Sequence, residues 1–498
     1  MKKGAVFIIL GLSFLGYYSY LIFSNVSDIA GGSDSSGYLN CAKRLWNGHL
    51  VERIPALDLF FLKNEFNHNF RPLGFSWSAK RMDIIIPSYP VGLPLHMAVF
   101  AAILGWDKGP FLVSPAAALL GLLLIYWLGR QLGLSRLYSG AGAFILAVFP
   151  PYIFQAIQPM SDVLATLWVM IAILAAVLSQ KRSLWALLSG AAFGMSVLVR
   201  PSDILAILAI LFMLPTNRRH YLYFVGGGLP FGLFFLILNH VLYGGWFITG
   251  YHGGIFWDLA LKHFPVRFWH YLSTLSLTLT PLILLGWGIF LAIRSVSLKK
   301  QLFFFVWFFP LFSFFCFFKP YEAWWYLRFL LPVIPALILA FLLTVHHFFE
   351  SLAKKKPRER TIRLIAHLAF SVVVMGILYG EARQVKKLDI LSFGKGESTY
   401  KESCLWVKKE LPEKSVVICH QLSGALTYYT SFIPCRLDSL DFRNFEYLRP
   451  RVESQGYAWH ALLFVFEEEN FHKRAMGDWI KIGQIKEVSI WKLASKVS

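Results

Sequence analysis

Most of the chain alternates long apolar runs with short polar loops. A helix needs about 20 apolar residues to span the hydrocarbon core of a bilayer. Runs close to that length predict membrane-spanning helices. They occupy residues 5–23, 111–129, 138–155, 163–179, 184–199, 203–215, 221–242, 272–293, 302–318, 327–349 and 362–380. Two of these, 184–199 and 203–215, are short, which predicts a tilted or broken hairpin around Arg200 and Pro201.

The segment between the first and second runs differs, because residues 87–106 begin with three prolines within eight positions. Lys and Arg in short loops mark the cytoplasmic side of a membrane protein. If this segment does not cross, the basic loops all fall on the side of Met1. They lie at residues 130–136, 181–182, 218–219, 294–300 and 354–363. We therefore expect about eleven crossings, a cytoplasmic N-terminus, and interfacial helices in a first outer loop of about 25–110.

The pattern changes after Gly380, where apolar runs become short and turn residues frequent. Residues 400–411 are amphipathic, which predicts a helix. Short β-rich runs at 416–419, 432–437, 461–466 and 488–493 predict strands. Residues 395–498 carry 15 Lys and Arg against 13 Asp and Glu, as a soluble domain would. The predicted organisation is an all-α, polytopic membrane domain over 1–385 and a small extracytoplasmic α/β domain over 395–498.

Composition agrees with a membrane protein. Hydrophobic residues make up 56% of the chain and charged residues 15%, against roughly 45–50% and 25% in soluble domains. The net charge of +20 resides largely in the short loops, so it indicates topology and not nucleic-acid binding. No glycine-rich nucleotide loop is present, and histidines and cysteines show no metal-ligand spacing. The sequence does not decide whether two of the cysteines Cys404, Cys419 and Cys435 form a disulfide.

In this topology the unusual polar residues fall on the outer side. Asp34 follows the first run, and Asp162 precedes the run 163–179. A carboxylate at a membrane face suits acid–base chemistry, although either residue could also be a helix cap. Arg328 follows Trp324, Trp325 and Tyr326. Its guanidinium fork suits a phosphodiester, or the side chain could be a snorkelling anchor in an aromatic belt. Arg200 could bind a headgroup or simply end a short helix.

Four short motifs occur in order along residues 25–345. They are Asp34 followed by Tyr38, Ala42 and Leu45; Tyr89-Pro90-Val91-Gly92; Pro159-Met160-Ser161-Asp162; and Arg328-Phe329-Leu330-Leu331-Pro332 with a further proline, Pro335. Together they resemble the GT-C glycosyltransferases. The last motif is similar to one in the branch of protein O-mannosyltransferases and aminoarabinose transferases.

The resemblance implies an inverting enzyme that moves a sugar from a polyprenyl-phosphate carrier on the outer face of the plasma membrane. It implies catalytic roles for Asp34 and Asp162, with donor phosphate bound by Arg328, Lys319 and Arg200. Tyr38, Tyr89 and Glu322 are the expected substrate contacts. The resemblance implies no definite cofactor, although a divalent cation could bind at Asp34 and Asp162. The acceptor stays open among a glycolipid, a cell-wall polymer and a protein.

Two other classes compete with this interpretation. A transporter or flippase of lipid-linked sugars would carry polar residues or broken helices near the bilayer midplane, often in repeated halves. Here the polar residues lie at helix ends, and no repeat is found. A membrane scaffold that only presents the C-terminal domain would need none of these polar residues for activity.

Overall fold

The computed structural model describes residues 2–78, 81–251, 259–319, 321–353 and 359–494. Met1, Ser498 and residues 354–358, on which the predicted topology also rests, lie outside these ranges. The chain divides into two compact units. Unit 1 comprises Met1–Val26, Leu112–Phe235 and Gly254–Ser392, and unit 2 comprises Ser27–Phe111, Leu236–Gly253 and Phe393–Ser498.

Among its described residues, unit 1 is built of helices joined by loops, apart from an isolated β-bridge between Leu259 and Phe318. The helix Arg218–Tyr243 begins in unit 1 and ends in unit 2. Its helices are α1 (Lys2–Ser24), α5 (Val113–Gln131), α6 (Arg136–Val148), α7 (Pro150–Ala156), α8 (Asp162–Ser179), α9 (Leu184–Val199), α10 (Ile207–Met213), α11 (Arg218–Tyr243), α12 (Phe264–Thr278), α13 (Pro281–Ala292), α14 (Leu298–Cys316), α15 (Ile334–Ala353) and α16 (Glu359–Lys387). Short 3₁₀ segments precede α10 and α15, at Pro201–Ala206 and Trp324–Val333.

Six helical stretches among the described residues are long and apolar enough to cross a membrane, or up to eight if each bent pair counts as one span. The six are Gly109–Gln131, Asp162–Ser179, Arg218–Tyr243, Leu298–Cys316, Trp324–Leu352 and Arg363–Lys387. The expected break at Pro201 is present, because α9 ends at Val199 and a 3₁₀ segment separates it from α10. A multi-pass membrane protein is therefore confirmed, whereas eleven crossings stay a prediction.

Unit 2 combines the C-terminal α/β domain with Leu236–Gly253 and with Ser27–Phe111, the segment predicted as the first outer loop and called by that name below. Its helices are α2 (Gly32–Trp46), α3 (Pro55–Leu59), α4 (Gly92–Leu104), α17 (Phe393–Glu410), α18 (Ser423–Tyr429), α19 (Phe442–Ser454) and α20 (Glu468–Arg474). Strands β1 (Glu52–Arg53), β3 (Ile84–Pro87) and β2 (Phe75–Trp77) form a small antiparallel sheet in that order. The expected interfacial segment contains α4, whose position relative to a bilayer stays a prediction.

The C-terminal sheet has the order β5-β4-β6-β8-β7. Its strands are β4 (Ser415–Cys419), β5 (Ile433–Arg436), β6 (Ala458–Phe464), β7 (Trp479–Ile485) and β8 (Val488–Leu493). The first three strands run parallel, and β8 and β7 continue antiparallel. Strand β4 is buried along its whole length, as a central parallel strand covered on both faces should be. All five cysteines are buried and free. The disulfide considered among Cys404, Cys419 and Cys435 is therefore not formed in this structure.

The first outer loop packs directly on the C-terminal domain within unit 2. One hydrophobic cluster joins Phe60, Phe66 and Phe70 of the loop to strand residues of β4 and β6. The Asn40 side-chain amide on α2 donates to the Gly424 carbonyl on α18, at 2.9 Å. The Leu73 amide donates to the Ser423 hydroxyl at 3.1 Å. The C-terminal domain therefore supports α2, the helix that carries Asp34.

Candidate active site

Asp34 lies in the first turn of α2 and is half-buried. The N-cap of this helix is Gly31, which makes no side-chain capping bond, so Asp34 is not the N-cap that the sequence left open. The partial positive charge at a helix N-terminus stabilises a carboxylate in the first turn. The Asp34 carboxylate therefore lies at the positive end of α2, and part of it remains accessible.

Tyr89 lies beside Asp34 and orients it. The Tyr89 hydroxyl donates to the Asp34 carboxylate and lies 2.8 Å from the Ser33 hydroxyl. Burial raises the pKa of Tyr89 well above its ordinary value, and the Asp34 charge raises it further. Tyr89 consequently keeps its proton and remains a donor. The Tyr38 ring packs against Tyr89 with centroids 5.0 Å apart, so the three predicted residues Asp34, Tyr38 and Tyr89 come together.

Two glycines permit this arrangement. A Cβ added to Gly37 would lie 2.7 Å from the Tyr89 ring and 2.8 Å from the Cα of Gly74. Gly74 itself has φ +88°, a conformation that residues with side chains rarely adopt. The close approach of α2 to the loop before β2 therefore requires glycine at both positions. Sequence reasoning missed both residues, because a glycine gives no signal of which segment will approach it.

In unit 1, Asp162 and Arg200 form a buried ion pair. Asp162 is the first residue of α8, and Arg200 follows the last residue of α9. Asp203, in the 3₁₀ segment that follows, is buried and interacts electrostatically with both residues. The Arg200 guanidinium is thus paired with Asp162 and acts on Asp203 through its charge alone, because neither Asp203 carboxyl oxygen has a hydrogen-bond partner among the described residues.

Arg200 and Arg328 also meet at one aromatic ring. Each guanidinium carbon lies 5.3 Å from the centroid of the Phe329 ring, within the range of a cation–π contact. The Arg328 guanidinium lies 5.8 Å from the Tyr326 ring as well. The predicted phosphate-binding residues Arg200 and Arg328 are therefore neighbours, whereas Lys319 and Glu322 are exposed on the segment before them.

Arg267 on α12 is a further member of this group that sequence reasoning missed. Its side chain is fully buried, and its Nη1 donates to the Tyr321 carbonyl at 2.8 Å. Its Nε and Nη2 have no hydrogen-bond partner within the described part of the chain. Tyr321 stacks on Tyr326 with ring centroids 4.5 Å apart, which links Arg267 to Arg328. The available signal was a single arginine inside the apolar, aromatic run 264–278.

We call Arg200, Arg267 and Arg328, with the rings of Tyr321, Tyr326 and Phe329, the arginine cluster. Arg267 contributes two buried donor atoms without a partner among the described residues, and guanidinium groups bind phosphate oxygens bidentately. The arginine cluster can therefore bind a phosphate group.

The residues around Asp162 do not suit a divalent cation. Across the ranges that the structure describes, no group of three or more His, Cys, Asp or Glu could hold a metal ion. Asp162 is instead neutralised by the Arg200 guanidinium, which a cation would have to displace.

Comparisons with known proteins identify the fold. No family model and no curated protein matches the sequence. Among solved structures, the chain is similar to ArnT from Cupriavidus metallidurans bound to undecaprenyl phosphate, with 12% identity and a TM-score of 0.61 over 99% of this chain and 98% of ArnT. It is also similar to the Archaeoglobus fulgidus oligosaccharyltransferase tethered to an acceptor peptide, with 12% identity and a TM-score of 0.58 over 92% and 69%.

At this level of identity, the likeness speaks for the fold alone. Both solved structures are GT-C glycosyltransferases, and the similarity to ArnT extends over nearly the full length of both chains. The resemblance seen in the four sequence motifs is thereby confirmed at the level of fold. The chain has the GT-C fold.

Proposed function

We propose that the protein is a membrane glycosyltransferase that takes a sugar from a polyprenyl-phosphate carrier and transfers it to an acceptor. The observation that carries this proposal is the arginine cluster, in which Arg267 is fully buried with two donor atoms that lack partners in the described part of the chain. An anionic group would supply those partners. Undecaprenyl phosphate, bound in the ArnT crystal structure, is such an anion on a lipid tail.

On the donor side, the reaction needs cations to stabilise the leaving phosphate but no strong general acid. The leaving group is a phosphate, which is stable as an anion and needs no strong general acid. Its charge grows as the glycosidic bond breaks, and fixed cations stabilise that growing charge. We assign this role to Arg267 and Arg328, with Arg200 held in place by Asp162. Lys319, an exposed cation that precedes Arg328 in the same segment, is a further proposed contact to the carrier phosphate.

On the acceptor side we assign the general base to Asp34. Its carboxylate accepts the proton from the acceptor hydroxyl as that oxygen attacks the anomeric carbon. Tyr89 orients Asp34, and Tyr38 supports Tyr89. A single direct displacement inverts the anomeric configuration, and it uses one base and no covalent sugar–enzyme intermediate. Asp162 then acts by positioning Arg200, and Glu322 remains a proposed contact to the sugar.

The proposed location is the outer face of the plasma membrane. It rests on the basic loops, which share one side with Met1. In this topology a reporter fused after Ser498 is active only outside the cytoplasm. A reporter active only in the cytoplasm would overturn the assigned orientation.

The donor site is tested by binding of undecaprenyl phosphate to the purified full-length protein in detergent, measured by native mass spectrometry. Undecaprenol, which lacks the phosphate, is the matched ligand. We expect the parent to prefer the phosphate form and Arg267→Gln and Arg328→Lys to lose most of that preference. Arg219→Gln, which alters an exposed arginine on α11, is the control and should change nothing. Equal binding of both lipids by the parent would contradict the proposed donor.

Chemistry separates this proposal from a flippase. A transferase breaks the bond between sugar and phosphate, so free undecaprenyl phosphate accumulates when donor and acceptor are both supplied. A flippase leaves that bond intact and only changes the leaflet in which the donor resides.

A further inference from the structure

Unit 2 contains a cleft of about 460 Å³ between the first outer loop and the C-terminal domain. Its walls come from the end of α2 and the segments that follow it, and from residues 413–457 of the C-terminal domain. The volume lies within the roughly 300–1,000 Å³ typical of small-molecule sites. None of the residues proposed above for donor binding or proton transfer lines it.

The walls of the cleft combine aromatic surface with hydrogen-bonding groups. Phe70, Phe432 and Tyr457 contribute aromatic rings. Asn47 and Ser431 contribute an amide and a hydroxyl group on the same walls. A sugar ring has the matching surface, because one face presents C–H groups that pack on aromatic rings while its edge presents hydroxyls.

The charges that line the cleft balance. Lys43 and Arg44 are cationic, and Glu52 and Glu413 are carboxylates. Arg44 and Glu52 form an ion pair, and Lys43 donates to the Tyr428 carbonyl at 2.9 Å. A balanced lining of this kind does not favour a multiply charged ligand such as a nucleotide or a polyphosphate. It suits an uncharged ligand that both donates and accepts hydrogen bonds.

Arg44, which lines the cleft, also has a buried donor without a partner among the described residues. Its side chain is only 10% exposed, and the guanidinium carbon lies 4.0 Å from the Phe75 ring. Its Nη1 is buried and has no hydrogen-bond partner within the described residues, even though Nη2 is paired with Glu52. A buried donor without an acceptor is unfavourable, so a ligand oxygen that reached it would be stabilised.

The cleft and the proposed base lie on one rigid element. Asp34 is in the first turn of α2 and Arg44 is in the last, ten residues apart. At 1.5 Å per residue this separation is about 15 Å along the helix axis. A short saccharide extends over such a distance, whereas a single sugar ring does not.

From this geometry we propose that the cleft binds a neutral saccharide, namely a part of the acceptor glycan that lies several sugars away from the hydroxyl that reacts at Asp34. Saccharide binding is inferred from the cleft alone, whereas the identity of this saccharide as part of the acceptor rests on the proposed function. The acceptor class that follows is a glycan or glycolipid, and not an unmodified protein.

The test measures binding of saccharides to the purified full-length protein in detergent by saturation-transfer NMR and calorimetry. The probes are neutral trisaccharides of glucose, galactose, mannose, rhamnose and N-acetylglucosamine, with trigalacturonate and inorganic phosphate as charged comparisons. Ser431→Trp fills the cleft from an exposed position. Ser454→Trp makes the same change at an exposed serine on α19, away from the cleft lining, and is the control.

We expect at least one neutral trisaccharide to bind the parent and Ser454→Trp, and Ser431→Trp to weaken its binding at least tenfold. Binding of undecaprenyl phosphate should be equal in all three proteins. Three results would overturn the proposal: no neutral trisaccharide binds, binding survives Ser431→Trp, or only the charged probes bind. If the parent protein does not bind undecaprenyl phosphate but does bind a neutral trisaccharide, the proposed function is refuted, whereas saccharide binding in the cleft is not.

Discussion

The Arg200 guanidinium pairs with the Asp162 carboxylate where α9 ends and α8 begins. Both side chains are almost completely buried, at 12% and 3% exposure. Removing one partner of such a pair leaves a buried charge uncompensated, which typically costs about 3–5 kcal/mol. The pair therefore locks the two helix ends together and fixes the place of Arg200 beside Phe329.

We predict an order of stability among variants of this pair. Arg200→Ala leaves the two buried carboxylates Asp162 and Asp203 without their shared cation, whereas Asp162→Asn leaves Arg200 still facing Asp203. Arg200→Ala should therefore lower the midpoint of thermal unfolding more than Asp162→Asn does. Adding Asp162→Asn and Asp203→Asn to Arg200→Ala should recover part of the loss. Equal midpoints for the two single variants would show that the carboxylates do not share Arg200.

A second prediction concerns the close contact of α2. Gly37→Ala places a methyl group against the Tyr89 ring and the Gly74 backbone, so α2 must shift and carry Asp34 with it. We expect transfer activity to fall at least tenfold while the protein still inserts into the membrane. Gly288→Ala adds the same methyl group in α13, where nothing lies within 4 Å, and should keep parental activity. Full activity of Gly37→Ala would show that the contact is not needed.

The C-terminal strands could be predicted locally because their apolar runs are short, β-rich and bounded by turn residues. Strands β4, β5, β6 and β8 lie within about three residues of the predicted bounds. The sequence missed β7, an edge strand whose residues are mostly exposed and whose pairing shifts between Lys481 and Gly483. It therefore lacks the apolar pattern of a core strand.

The candidate site was predictable only in part. Asp34, Asp162 and Arg328 lie in motifs that are short and local, so the sequence alone is enough to propose them. Contacts such as Asn40 with Gly424 join residues 384 positions apart, and no local pattern encodes them. For the same reason the support that the C-terminal domain gives to α2, and the part of Arg267 in the arginine cluster, became visible only in three dimensions.

A third prediction concerns acid stability. His460 on β6 lies opposite Lys492 on the neighbouring strand β8. Burial, followed by the Lys492 charge, lowers the pKa of His460 from 6.5 to about 4. Below about pH 6.5 this histidine is protonated in the unfolded chain but not in the folded one, so protonation favours unfolding. The free energy of unfolding therefore keeps its full value above pH 6.5. It falls as the pH drops from 6.5 to 4, by about 3 kcal/mol in total.

This dependence is measured by unfolding of the full-length protein in detergent between pH 4 and 7.5. His460→Gln should flatten the fall, whereas His472→Gln, at an exposed position, should leave it unchanged. An unchanged pH profile in His460→Gln would refute the assignment to this histidine.

In the proposed mechanism, Asp34 accepts the proton of the acceptor hydroxyl. Asp34→Asn keeps the size of the side chain and its contact with Tyr89, but a carboxamide cannot take that proton. General-base catalysis typically contributes about 10²–10⁴-fold. Asp28→Asn, at an exposed aspartate six positions earlier in the chain, is the matched control.

The decisive measurement is the initial rate at which purified protein releases undecaprenyl phosphate from an undecaprenyl-phosphate sugar in the presence of acceptor. We expect Asp34→Asn to lose at least a hundredfold in this rate while it binds undecaprenyl phosphate like the parent, and Asp28→Asn to react normally. A rate for Asp34→Asn within a few-fold of the parent would contradict the account.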